Sequence, residues 1–246
     1  TGGALPGTEK WNHWRLFVVN NDPLPPLRIL LTGTGGPAGI AFYKALADMP
    51  QLEFFMADMS AYSSGLYLVD ADHRILLPPG NDASFADYIL RLCREFSIDV
   101  LVPTVDAELL PLSRYKAEFE LIGTRLICAP ENVIETCIDK YKLMQRLSES
   151  YHLSYYERLD CVSDPTKLDY PVIVKPCQGS GSNGVLLIRS AKELEQLGMV
   201  KDFMVQEYLQ GQEYSVDVYA GVDKVLAAVV RERCKIDSGI AVISST

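Results

Sequence analysis

The chain has 246 residues, 48% of them hydrophobic and 22% charged, with a formal net charge of −9. This is the make-up of a soluble globular protein with one large or two modest cores, and its acidity argues against a nucleic-acid partner, whose phosphates need a basic face. No apolar run approaches the ~20 residues that cross a bilayer, and residues 1–10 lack the basic-then-apolar layout of a signal peptide.

Residues 1–26 read as an extended lead-in, anchored by Trp11 and Trp14 and ended by Pro23, Pro25 and Pro26. From Leu27 the pattern alternates. Arg28–Thr32 predicts a buried strand, Thr34–Gly36 a turn and Ala38–Asp48 a helix. Strands follow at Glu53–Ala57, Arg74–Leu77, Asp99–Pro103 and Thr124–Cys128, with helices at Ser84–Phe96 and Glu108–Glu118 between them. Strands alternating with helices imply a parallel sheet wrapped by helices. The character shifts near Pro130. Two short helices, Glu131–Cys137 and Lys140–Glu149, precede strands at Val172–Lys175, Val185–Ile188, Phe203–Glu207, Tyr214–Ala220 and Val225–Arg233. A single helix, Ala191–Leu197, interrupts them, and Gly221-Val222-Asp223 reads as a hairpin turn. An antiparallel α+β region is expected there, with a further strand beginning as the sequence reaches Thr246.

The six cysteines (93, 128, 137, 161, 177 and 234) form no C-x-x-C pair, and the three histidines (13, 73 and 152) are scattered. Buried free thiols, no metal site and a reduced, cytoplasmic setting are expected.

Two glycine-rich stretches stand out. Thr32-Gly33-Thr34-Gly35-Gly36-Pro37-Ala38-Gly39 follows a strand and opens a helix, and Asp58 ends the next strand. That is close to a dinucleotide fingerprint, although Pro37 removes an N–H and a tight β-to-α turn explains the glycines equally well. The second stretch runs Pro-Val-Ile-Val-Lys175-Pro-Cys-Gln and continues Gly179-Ser180-Gly181-Ser182-Asn183-Gly184. Such a loop can fold its N–H groups around a phosphate while the lysine adds positive charge; a flexible hairpin tip is the plain alternative. Farther on, Gln206-Glu207-Tyr208-Leu209, Gly211 and Glu213 make a broken strand able to meet a base edge and ribose hydroxyls, or an ordinary charged turn. Arg231 and Arg233 alternate onto one strand face and can clamp a phosphate or pair across strands. Asp106 and Glu108 lie just past the strand at Val100–Val102, where ligands of open α/β sheets collect, although helix capping by Asp106 explains them as well.

In order, Lys140, the Val-Ile-Val-Lys175-Pro strand with its loop, Gln206-Glu207-Tyr208-Leu209 and Glu213 resemble the ATP-grasp superfamily, and within it the carbamoyl-phosphate synthase large-chain-like carboxylate–amine ligases. The resemblance implies a Rossmann-like pre-ATP-grasp domain at 27–129 and an incomplete α+β ATP-grasp domain at 130–246, its flap at about 154–206. It also implies ATP held by Lys140, Lys175, Ser180, Gly181, Ser182 and Gly184 on the phosphates. Glu207, Tyr208 and Leu209 would meet the adenine and Glu213 the ribose, with Arg231 or Arg233 steadying the reacting phosphate. Such enzymes use Mg²⁺ to phosphorylate a carboxylate or bicarbonate, and an amine displaces phosphate from the acyl phosphate. The family's Mg²⁺-binding Glu-x-Asn pair is absent from the chain, so the expectation is an N-terminal part of a longer enzyme, its metal ligands beyond Thr246 and homo-oligomerisation left open. An NAD or nucleotide-sugar Rossmann module and a non-catalytic nucleotide-binding fragment are the alternatives.

Overall fold

The computed structural model describes residues 25–179, 181–198, 200–221, 223–237 and 240–246. The tryptophan-bearing lead-in up to residue 24, Ser180 and Val222 of the expected hairpin lie outside the described residues. The chain divides into two compact units, one ending at Cys128 and the other starting at Ala129.

The first unit is a five-stranded parallel sheet of β1 (Leu27–Leu31), β2 (Leu52–Asp58), β3 (Arg74–Leu76), β4 (Val100–Val102) and β5 (Arg125–Leu126), in the order β3-β2-β1-β4-β5. Helices cover it: α1 (Pro37–Leu46), α2 (Phe85–Glu95), α3 (Asp106–Arg114) and α4 (Lys116–Leu121). Side chains of a strand alternate between faces, and β1 shows the result. Leu30 joins Phe55, Ile89, Leu101, Leu112 and Phe119 in one core, under α2, α3 and α4. Ile29 and Leu31 join Phe54, Met56 and Val102 in a second core, packed by Phe42, Tyr43 and Leu46 of α1. Both faces of the sheet are therefore apolar, as a doubly covered parallel sheet requires.

A single helix was expected over Glu108–Glu118, and the chain instead breaks it at Tyr115 (φ −98°, ψ 13°). The Tyr115 N–H donates to the Leu112 carbonyl at 3.0 Å, a tightened last turn of the kind that closes helices. The bend lets Leu112 and Phe119, each 0% exposed, enter the same core.

The second unit holds two antiparallel sheets. The first, in the order β6-β9-β7-β8, combines β6 (Tyr156–Arg158), β7 (Val172–Pro176), β8 (Leu186–Ile188) and β9 (Phe203–Glu207). Val172, Val174, Ile188 and Val205 form its core with Leu194 of α7 (Ala191–Leu197). The strand β6 carries no alternating pattern, all three residues being half-buried, which is why the sequence does not announce it. The second sheet is a meander of β10 (Tyr214–Ala220), β11 (Val225–Asp237) and β12 (Ile240–Ser245). It leaves Val216, Val218, Val229, Val230 and Ile243 exposed. Helices α5 (Glu131–Cys137) and α6 (Lys140–Ser148) open the unit. Of the thiols expected to be buried, Cys93 and Cys177 are, Cys128 is half-buried, and Cys137, Cys161 and Cys234 are exposed; all are free.

One buried group carries a pH signature. Glu108 is 6% exposed and accepts the Thr32 hydroxyl. Burial, reinforced by the nearby Asp58 charge and opposed by the Thr32 bond, pushes its carboxyl up from 4.5 to about 7. The folded protein thus binds more protons than the unfolded chain between about pH 4.5 and 7. The contribution to stability is full below that window and falls by about 3 kcal/mol as pH rises through it. Urea unfolding of the wild type should lose stability across this window relative to Glu108→Gln, whose amide still accepts the Thr32 hydroxyl; parallel curves would refute the assignment.

Candidate functional site

Asp139 caps α6, its carboxylate accepting the N–H groups of Tyr141 (3.0 Å) and Lys142 (3.1 Å). The cap fixes the start of the helix, and Lys140, its first residue, is held twice. Its backbone N–H donates to the Cys177 carbonyl at 2.7 Å, and its Nζ donates to the Gly179 carbonyl at 2.7 Å. The helix is in this way tied to the loop that leaves β7.

Alternation places the second lysine. Val172 and Val174 point into the core at 1% exposure, so Ile173 and Lys175 face the opposite side of the sheet. There the Lys175 Nζ donates to Gln206 Oε1 of β9 at 2.6 Å. Burial first, and the neighbouring Lys140 charge second, hold the Lys175 ammonium below the usual lysine range. The loop then passes through left-handed conformations at Gly179, Gly181, Ser182 and Gly184. At Gly184 (φ +73°) a Cβ would also stand 3.0 Å from Pro176 Cγ, so both backbone angle and space call for glycine.

These elements enclose a cavity of about 540 Å³ lined by Lys140, Lys175, Gly181, Ser182, Glu207, Tyr208, Leu209 and Glu213. Ile173, Pro176, Gly179, Asn183, Val185 and Gln206 complete its wall. The Glu207 N–H already donates to the Tyr155 carbonyl at 2.9 Å, so a base edge can use only its carbonyl there. Of the residues expected at the site, Gly184 shapes the loop without lining the cavity, and Ser180 lies outside the described residues. Arg231 and Arg233 do not line it either. Arg231 is bidentate to Asp217 and also reaches Ser244 Oγ at 3.1 Å. Arg233 pairs with the cavity residue Glu213 at 2.9 Å. Ile173 was not singled out from the sequence; counting alternate positions back from Lys175 reaches it. Among the described residues no group of three or more His, Cys, Asp or Glu side chains could hold a metal ion.

The first glycine-rich turn, in the other unit, has different electrostatics. Gly33 (φ +64°) leaves no room for a side chain, since a Cβ would lie 2.4 Å from Val105 Cγ2. Asp58 Oδ2 accepts the Gly35 N–H at 2.7 Å and Oδ1 the Ser60 N–H at 3.0 Å. A carboxylate therefore occupies a donor that a pyrophosphate would need, and Pro37 supplies none. Asp106 stands in the first turn of α3, one residue inside the cap position at Val105.

Residues 137–238 match the model of the ATP-grasp domain, and residues 29–127 match that of the PylC-like N-terminal domain. Comparison with curated protein sequences finds no match. Among solved structures, an L-amino acid ligase from Bacillus licheniformis superposes with a TM-score of 0.63 at 20% identity, over 85% of this chain and 50% of that one. The biotin carboxylase domain of a Hydrogenobacter thermophilus 2-oxoglutarate carboxylase, in complex with MgADP and bicarbonate, gives 0.65 at 15% identity, over 86% and 51%. A carboxyaminoimidazole ribonucleotide synthase from Aspergillus clavatus complexed with ATP gives 0.63 at 16% identity, over 87% and 55%. At these identities the likeness is one of fold, and the chain spans about half the length of each structure.

Because Lys140 contributes to the depressed basicity of Lys175, Lys140→Ala should raise the Lys175 pKa toward the ordinary lysine value. Carbon-13 NMR of labelled lysines across a pH titration measures this, and an unchanged Lys175 curve would mean that burial alone sets it.

Proposed function

We propose that this chain, a member of the ATP-grasp superfamily through its residues 137–238, is the nucleotide-binding portion of an ATP-dependent carboxylate–amine ligase. The observation that carries the reading is the cavity that gathers Lys140, Lys175, the Gly181–Ser182 loop, Glu207, Leu209 and Glu213 in one place. Two ammonium groups, one of them half-buried beside Gln206, favour a polyphosphate. The left-handed residues Gly179, Gly181, Ser182 and Gly184 give the loop the kind of backbone that phosphate-binding loops use. In this reading the Glu207 carbonyl and the Leu209 backbone meet an adenine edge and Glu213, paired with Arg233, meets ribose hydroxyls; all three residues line the cavity.

When bound, ATP supplies the phosphoryl group that turns a carboxylate or bicarbonate into an acyl phosphate open to attack by an amine. The chain's own part is positioning and charge. Lys140 and Lys175 offset the negative charge of the phosphates, and the tie from Lys140 to Gly179 holds the loop against α6. In this proposal Arg231 and Arg233 act at the reacting phosphate after exchanging their carboxylate partners Asp217 and Glu213. Mg²⁺ would accompany ATP in this reading; such an ion is held by one or two carboxylates together with the phosphates, and among the described residues no group of three or more His, Cys, Asp or Glu side chains is gathered. The L-amino acid ligase and the biotin carboxylase domain in its bicarbonate complex support a small carboxylate or bicarbonate as one substrate and an amine as the other. The cytoplasm is the proposed setting, and no helix among the described residues is long and apolar enough to cross a membrane. The dinucleotide alternative is disfavoured by Asp58 on the Gly35 N–H.

Calorimetric titration of the chain with Mg-ATP tests this reading. Saturable binding is expected, weakened at least about tenfold by Lys175→Ala, the loss of one charge-assisted phosphate contact. NAD binding that survives Lys175→Ala, with no ATP binding, would overturn it.

A further inference from the structure

The loop between β7 and β8 carries a reactive pair of residues. Of the six asparagines of the chain only Asn183 precedes a glycine. The Val185 N–H donates to the Ser182 carbonyl at 3.3 Å, so Asn183 and Gly184 are the two central residues of an exposed turn. That bond leaves the Gly184 nitrogen out, and the Gly184 N–H donates no hydrogen bond among the described residues. After Asn81 and Asn132 the next N–H is already engaged. Asp82 donates to the Pro79 carbonyl at 2.9 Å, and Val133 donates to the Pro130 carbonyl at 3.0 Å. Both of those followers also bear side chains, whereas Gly184 has none to shield its nitrogen.

An asparagine amide next to an unhindered backbone nitrogen can cyclise. The Gly184 nitrogen gives up its proton to solvent and attacks Asn183 Cγ; a C–N bond forms, and the side-chain nitrogen leaves as ammonia. Water then adds to the cyclic imide and opens one of its two C–N bonds. Opening at Cγ gives aspartate. Opening at the main-chain carbonyl gives isoaspartate, with the backbone running through the side chain. Neither step changes an oxidation state, and water is the sole co-reactant.

Asn183 lines the same cavity as Lys140 and Lys175. A carboxylate at position 183 is drawn to those two ammonium groups and competes with a polyphosphate for them. Isoaspartate also lengthens a backbone with little slack, since Gly184 sits at φ +73° and Pro176 Cγ lies 3.0 Å from where its Cβ would stand. We propose that Asn183 is a spontaneous modification site, converting to aspartate and isoaspartate, and that the conversion lowers the affinity of the cavity for polyphosphates. The second half rests on the nucleotide reading above; the modification itself does not.

Ageing of the whole chain in mildly alkaline buffer tests the proposal, with peptide mass spectrometry and isoaspartate detection as the readout. A synthetic peptide of residues 178–188 supplies the intrinsic rate. Expected are conversion at Asn183 ahead of every other asparagine, a mixture of the two products, and ammonia released in step. Asn183→Gln should stay unmodified, because its longer amide closes a larger ring more slowly, and its Mg-ATP affinity should not drift during ageing. Calorimetry of the wild type should show Mg-ATP binding weakened at least about tenfold once conversion is complete. Asn183→Asp, which adds the charge without ageing, should be weakened from the start. An Asn183 that stays intact while the peptide converts would overturn the modification site. Conversion that leaves Mg-ATP affinity unchanged would overturn its consequence. If the fresh chain binds no Mg-ATP, the nucleotide reading falls, while conversion at Asn183 still sustains the modification.

Discussion

Val172 and Val174 are buried in the core of the four-stranded sheet, and because neighbours on a strand point to opposite faces, their burial obliges Ile173 and Lys175 to face away from it. A shift of one residue along β7 would bury the ammonium and expose the valines. The pairing of Lys175 opposite Met204, and of Ile173 opposite Gln206, then brings the Gln206 amide to the lysine. From this register follow the exit point of the glycine loop, the Lys140 contact with Gly179 and the outline of the cavity. The lysine is thereby half-removed from water with a neutral partner rather than a carboxylate, which leaves its charge available to a ligand.

The two glycine-rich turns of the chain look alike on paper and differ in what their donors already hold. In the first unit Asp58 sits on Gly35, and Glu108 lies buried close by, so the space is acidic. In the second, two lysines flank the loop. Glycine content speaks to backbone shape; the sign of the ligand is set by the side chains that other strands deliver.

Much of this was legible in the sequence for identifiable reasons. The strands Phe203–Glu207 and Tyr214–Ala220 and the helix Ala191–Leu197 declare themselves through apolar patterning, and the structure has them at those limits. The parallel sheet follows from the alternation of such signals. What stayed hidden depends on pairing. Tyr156–Arg158 is a strand only because β9 lies beside it, and β11 continues past Arg233 because β12 pairs with it. The same holds for the ion pairs. Arg231 and Arg233 were visible as a same-face pair, whereas Asp217 and Glu213 become their partners only through the β10–β11 register. The contact between Thr32 and Glu108 was likewise out of reach, since the two lie 76 positions apart along the chain.

Cys177 stands where β7 gives way to the loop. Its N–H donates to the Asp202 carbonyl at 2.8 Å, its own carbonyl receives the Lys140 N–H at 2.7 Å, and the residue is 2% exposed. Burial also raises the thiol above the ordinary cysteine range, which starves it of reactive thiolate. A modifying reagent reaches that sulfur only after the strand end has parted from its neighbours, while Cys137, Cys161 and Cys234 are open to it from the outset. The chain consequently carries its own stopwatch for the breathing of the loop, wound by a side chain outside the cavity lining.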